Sequence, residues 1–408
     1  MLTIDPVRHA LVAADSAAAD ALGAPNYDEF QSDREVWELL QERPSSVLRV
    51  SMPHCAVATV EAIGEDGSLE ALARATGNMS ELKSDPRLRR LSSILWVYEI
   101  TRPGEPQAAQ IGLGGMARTQ ELRTPENPGG TIIRNEGIRE PKARARARLT
   151  EATRADLGMV NLAVDDASRA FQDALEAHAR ANAPSFETTD ETGNRHRVWL
   201  VESQIEHWRT LLAREPRAYV ADGNHRSAAA AMLGYEHFLA VFFPARTMTI
   251  APYNRLIVEI PRTLAFPRAL LQSFEVTRRD HAFQPAATHE IGFYDESAWW
   301  LLRPRPGTYD PADAAQDIDA DIVQRRLFAE LFGIADARDE RIAYVGANRD
   351  AAWLQAQVDS GRFACAVTLP PVTMEQFINV CRQNRLMPPK STWFVPKART
   401  GLVMALLD

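Results

Sequence analysis

An acid, a glycine, an amide, an imidazole and a guanidinium stand in a row from Asp222 to Arg226, followed by Ser227 and four alanines. Gly223 permits a tight strand-to-helix turn, and the N–H groups at the helix start beyond it carry partial positive charge. His225 and Arg226 add donors at the same place, so backbone, imidazole and guanidinium could together hold a phosphate. Asn224 and Ser227 could add contacts, while Asp222 could cap the turn or orient a hydrated Mg²⁺. A plain helix cap with Arg226 paired at the surface explains the spacing equally well.

A second polar group lies near the C-terminus. Pro388 and Pro389 stiffen a turn that carries Lys390, Ser391 and Thr392, whose ammonium and hydroxyls could face a phosphate or a carboxylate. The glycine loop of a Walker motif is missing from it. The alternative is a rigid turn that sets up a last hairpin, with Lys397 solvated. Arg255 could bind a carboxylate or phosphate, and Trp199 suits a core position better than an adenine platform. His54 beside Cys55, and His196 between two arginines, are isolated and not paired at ligand spacing, which argues against a zinc centre.

The elements needed to position these groups are legible. "RAYVAD", the Asp222–Arg226 motif and "HFLAVFFPA" read as strand, helix and strand, and "SILWVYEIT" as a buried strand. "FETTDETGNRHRVWLVE" reads as a hairpin turning at Gly193-Asn194. "SVLRVSM" alternates like a strand. Pro141 opens a helix rich in arginine, with Lys142 and Arg146 on one face and Arg144 and Arg148 on its neighbour. Thr373 and Gln376 form a capping-box pattern ahead of another amphipathic helix. Three segments are expected: residues 1–130, 131–265 and 266–408.

Composition sets outer limits. The 408 residues exceed one ordinary core, and the 45% hydrophobic and 25% charged fractions fit a globular chain. A net charge of −8 argues against binding nucleic acid through bulk electrostatics. Neither a signal peptide nor a membrane span is expected, and three widely spaced cysteines make no disulfide framework, so a cytoplasmic address is expected.

The turn at Asp222–Arg226 resembles the helix-start motif of the ParB/sulfiredoxin-like superfamily. Over the whole chain the resemblance is to the bacterial and archaeal family called domain of unknown function ten-fifteen. It is carried by "APNYDEF" (24–30), "IIRNEG" (132–137), "RVWLVE" (197–202), "YVADGNHRSAAA" (219–230), "PYNRLI" (252–257) and "MPPKSTWFVPK" (387–397). Asn135, Asn224 and Asn254 stand where the family usually has histidines; an amide keeps hydrogen bonding but cannot titrate near neutrality.

The resemblance implies an α+β protein with a ParB/sulfiredoxin-like nucleotide-binding core and N- and C-terminal α+β elaborations. Sulfiredoxin chemistry needs a cysteine in the glycine turn, which this chain lacks. The free-serine kinases of the superfamily phosphorylate an amino-acid hydroxyl with a glutamate ahead of the glycine turn as base, and Glu136 matches that role in order. The implied reaction is phosphoryl transfer from ATP or ADP, with Mg²⁺, to a small polar metabolite, free L-serine being the first candidate. Glu136, Asp222 and His225 would be catalytic. Gly223, Asn224, His225, Arg226, Ser227 and Arg146 would hold the nucleotide, with Asp222 on the metal. Arg255, Asn135, Trp199, Lys390 and Thr392 would meet the substrate. A non-catalytic nucleotide-binding regulatory module and a nucleotide phosphohydrolase are the alternatives, and a homodimer stays open.

Overall fold

The strand Ala218–Asp222 pairs on both edges, in parallel with Ile132–Arg134 and antiparallel with Val160–Val164. It belongs to a nine-stranded mixed sheet. From Ile132–Arg134 the path runs through Ala218–Asp222, Val160–Val164, His237–Pro244, Glu105–Arg118, Leu95–Arg102 and Arg195–Val201 to Phe186–Thr189, with Ile4–Asp5 added on Glu105–Arg118. This computed structural model describes residues 1–407, without the side chains of Asp28, Pro106 and Gln107.

Sequence explains the centre of the sheet. Every residue of Val160–Val164, and all of His237–Pro244 after its first, is buried, as expected of strands covered on both faces. Trp96 packs flat over Gly114 on the neighbouring strand, where an added Cβ would stand 1.9 Å from the indole. The hairpin of Phe186–Thr189 with Arg195–Val201 forms as the Gly193-Asn194 turn predicts. "SVLRVSM" does not become a strand: Leu48–Ser51 is a helical turn with Val47, Leu48 and Val50 all buried, and Pro53 follows it.

The strand-to-helix turn is built as anticipated. A bulge between Val220 and Asp222 breaks the ladder, Gly223 follows at φ +96°, and the helix Asn224–Met232 begins. That helix buries Ala228, Ala229 and Ala230 and packs against the helix Glu140–Thr153, which in turn buries Ala143 and Ala147. Small side chains on both faces let the two axes approach closely.

The chain forms two compact units, each discontinuous in sequence, in place of three consecutive segments. The first comprises residues 1–134, 138–248 and 396–408; the second, residues 135–137 and 249–395. The nine-stranded sheet draws strands from both sides of residue 130, which is why a boundary there does not hold. In the first unit a four-stranded sheet also joins Ala10–Ala13 to Leu88–Leu91 and to Val403–Leu406, which pairs with Ala155–Asp156. The second unit contains a six-stranded antiparallel sheet and the pair Thr249–Ala251 with Trp393–Val395. Trp393–Val395 and Val403–Leu406 therefore lie in different sheets, and no last hairpin forms between them. The architecture is mixed α/β with several sheets.

Candidate functional site

In the first unit, the bulge and the Gly223 turn place Asp222 where two cations share it. Its Oδ2 lies 3.5 Å from Arg226 Nη2 and 3.5 Å from Lys397 Nζ. All three side chains are largely withdrawn from water, at 13%, 13% and 9% exposure for Asp222, Arg226 and Lys397. Lys397 is thus not the solvated residue expected from sequence. Arg226, Lys397 and Asp222 thus meet in a poorly hydrated place beside a helix start, where donors of this kind can take an anion.

The surrounding shell comes from the start and end of the chain. Arg226 Nη1 is 3.4 Å from Asn26 Oδ1, and Asn26 is fixed by donating to Ala398 O at 2.8 Å and accepting from Thr400 Oγ1 at 2.9 Å. The Arg146 guanidinium stacks 4.1 Å from the centre of the Tyr27 ring, and that of Arg226 lies 6.0 Å from the same ring. Arg146 also donates to Ser51 O at 2.9 Å. Asn26, Tyr27, Arg146, Asp156, Arg226 and Thr400 line a cavity of about 60 Å³. That volume holds a few waters, and Leu149, Leu157, Val160, Phe238 and Leu239 give the cavity an apolar wall alongside these polar groups. Burial pushes the Asp156 carboxyl up to about 6, although it accepts from Leu239 N and has Arg226 nearby.

Two motif residues have local duties. His225 Nε2 accepts from Arg139 N at 3.1 Å, so that nitrogen carries no proton and the imidazole ties the motif to the start of the helix Glu140–Thr153. Ser227 is fully buried and donates to Asn224 O at 3.0 Å, which directs its hydroxyl into its own helix and away from a bound nucleotide. Trp199 is corrected outright: it is 2% exposed in the core of the large sheet and donates to Asn182 O, so it offers no face to a substrate.

The remaining candidates gather in the second unit. Met387 N donates to Asn135 O at 2.9 Å and Lys390 N donates to Glu136 Oε2 at 3.3 Å, so Asn135 and Glu136 dock on the proline turn. Lys390 adopts a left-handed backbone at φ +59°, and its Nζ lies 5.4 Å from the Tyr253 ring centre. Arg255 is buried, bonded to the carbonyls of Tyr253 and Lys390, with its guanidinium 5.3 Å from the Tyr344 ring centre. Its charge is thus spent on fixing the turn, and burial lowers its basicity. Thr392 is half-buried in the same turn. Asn254 shows why an amide serves there: it donates to Gln284 Oε1 and accepts from Leu369 N.

Sequence reasoning missed Asp156, Thr400 and the role of Lys397, and it quoted Asn26 and Tyr27 without assigning them. The only available signal was that "APNYDEF" and "VPK" fall in blocks resembling the family. It also set His54 and Cys55 apart from other ligands, whereas the fold brings Asp33 to them.

The geometry is that of a strand-to-helix turn ringed by cations. The chain belongs to the family described as Protein of unknown function (DUF1015), which matches residues 4–327. No match was found among curated proteins. Among solved structures, a free serine kinase in complex with AMP is similar at 10% identity and a TM-score of 0.38, covering 67% of this chain and 89% of that one. A conserved hypothetical protein from Pyrococcus furiosus is similar at 10% identity and a TM-score of 0.36, covering 65% and 87%. SbnI from Staphylococcus aureus, with a C-terminal truncation, gives 10% and 0.38, covering 71% and 87%. Likeness at this level transfers neither fold class nor activity. Among the described residues, no helix is long and apolar enough to cross a membrane.

Proposed function

We propose that the protein is a nucleotide-dependent phosphotransferase that acts on the hydroxyl of a small polar metabolite, with free L-serine as the first acceptor to try. The observation that supports this reading is the pair of largely buried cations, Arg226 and Lys397, gathered beside Asp222 at the Gly223 turn. Such a pair suits the phosphates of ATP or ADP, and charge-assisted contacts of this type are the strong ones. The resemblance of the turn to the ParB/sulfiredoxin-like motif points the same way.

In the proposed reaction the acceptor oxygen attacks the terminal phosphorus of the nucleotide. The bond from that phosphorus to its bridging oxygen breaks, its electron pair leaves with the shortened nucleotide, and Glu136 takes the acceptor's proton. Arg226, Lys397 and the helix start stabilise charge on the phosphate oxygens. Mg²⁺ at Asp222 does not fit: the carboxylate already lies between two cations, which oppose a third. Asp222 instead holds Arg226 and Lys397 in place.

The test is incubation with ATP or ADP and a panel of hydroxylated metabolites in Mg²⁺ buffer, with product detection by phosphorus NMR. Glu136→Gln is expected to lower turnover by about 10²-fold or more while nucleotide still binds. Arg226→Ala is expected to weaken nucleotide binding by about 10–100-fold. Nucleotide binding with no phosphorylated product, and no effect of Glu136→Gln, would leave a regulatory module; free phosphate formed without any acceptor would indicate a phosphohydrolase.

A further inference from the structure

A cluster of metal-ligating side chains lies outside the site just described. Asp33 is the first residue of the helix Asp33–Glu42, and His54 and Cys55 end the short turn Pro53–Cys55. One ligand atom from each of the three falls within 4.8 Å of the other two. His54 Nε2 is 3.3 Å from Asp33 Oδ1. Two ligands on one tetrahedral zinc ion, with bonds of 2.0–2.2 Å, are separated by roughly 3.4 Å. The pair therefore has the spacing of neighbouring ligands.

The other side of the imidazole supplies a second, independent observation. His54 is buried, with a side chain only 2% exposed, and its Nδ1 makes no hydrogen bond; it faces Asp66 Oδ1 at 3.6 Å, beyond hydrogen-bond reach. A carboxylate behind a histidine is the arrangement that orients a metal-bound imidazole and sharpens its basicity. Loading an ion on Nε2 would give Nδ1–H a reason to close on Asp66. Access exists as well, since Asp33 and Asp66 are 55% and 43% exposed while Cys55 is buried behind them.

We propose that Asp33, His54 and Cys55 form a binding site for a divalent transition metal of the zinc type, with Asp66 as the carboxylate that orients His54. The thiolate–imidazole–carboxylate set selects zinc over magnesium or calcium, whose hard ions take oxygen ligands. Three protein ligands leave a coordination position for water. The ion clips the helix Asp33–Glu42 to the Pro53–Cys55 turn. Asp66 Oδ2 also lies 3.5 Å from Arg146 Nη2, so the clip steadies the arginine that stacks on Tyr27.

The experiment is a Co²⁺ titration of chelator-treated full-length protein. One equivalent is expected to bind, with thiolate-to-cobalt absorption in the near ultraviolet and visible bands of a low-coordinate site, all abolished by added Zn²⁺. Cys55→Ser should remove the thiolate band. Asp33→Asn alters an exposed residue and should leave the circular dichroism unchanged while weakening uptake about tenfold or more; Asp66→Asn should weaken it by about 10–100-fold. Uptake without a thiolate band, uptake unaltered in Asp33→Asn and Cys55→Ser, or no stoichiometric uptake would each overturn the assignment. None of these readouts depends on nucleotide binding.

Discussion

Asp156 shows how a single residue of the cavity sets a pH dependence. Burial raises its carboxyl from the ordinary 3.8 to about 6, so ionisation costs the folded chain more than the unfolded one. The stability this group supports is fully present below about pH 4 and is lost as pH rises through about 6. Asp156→Asn keeps an acceptor for Leu239 N and removes the charge. The variant should therefore be more stable than the parent at pH 7 to 8, by on the order of 1–3 kcal/mol, with the difference vanishing near pH 4. Thermal melts across that range check it, and parallel pH profiles for both proteins would refute it. At this scale the sequence disclosed the donors but not their company. Asp222 and Lys397 lie 175 positions apart and meet through tertiary folding, so no local pattern could announce the pair.

At the scale of elements, the turn at Gly223 is where local rule and function coincide. Its φ of +96° suits glycine, and a Cβ there would stand 3.0 Å from Arg226 Nε and 3.1 Å from Val160 Cα. Gly223→Ala should cost about 1–2 kcal/mol from backbone strain alone. It should also push the Arg226 guanidinium off Asp222 and weaken nucleotide binding about tenfold, read by calorimetry beside a denaturation curve. A variant that loses stability but binds as before would uncouple the turn from the cation pair. Elements around this turn were legible where each declares itself locally: an apolar run for His237–Pro244, and glycine followed by an alanine run for the helix. Val160–Val164, interrupted by Asn161, was not read as a strand. "SVLRVSM" misled because so short an apolar run fits one helical turn as well as a short strand; Val47, Leu48 and Val50 are all buried, so the segment is covered on more than one side and its alternation carried no information.

At the scale of the molecule, the interleaving of the two units was hidden, because a sheet's strand order depends on contacts between residues far apart in sequence. The six blocks resembling the family still pointed to its parts, including residues 396–397, which return to the first unit after an excursion of 147 residues, 249–395, through the second. What holds that return in place is a buried relay. His196 Nε2 lies 3.1 Å from Asp190 Oδ2, its Nδ1 lies 2.7 Å from Tyr98 Oη, and Tyr98 Oη accepts from Arg399 N at 3.0 Å. With Nε2–H given to Asp190, Nδ1 accepts the tyrosine proton and every member is satisfied; burial lowers the basicity of His196 and keeps Nδ1 an acceptor. Tyr98→Phe leaves Arg399 N–H and His196 Nδ1 buried without a partner, at a cost of about 2 kcal/mol or more. Arg399 lies between Lys397 and Thr400 in the chain, so loosening it displaces the lysine from the cation pair. The variant should lose both stability in urea and affinity for nucleotide, with the affinity loss enlarged in salt as Lys397 becomes solvated. A stability loss with unchanged affinity would confine the relay to the core and separate the end of the chain from the anion site.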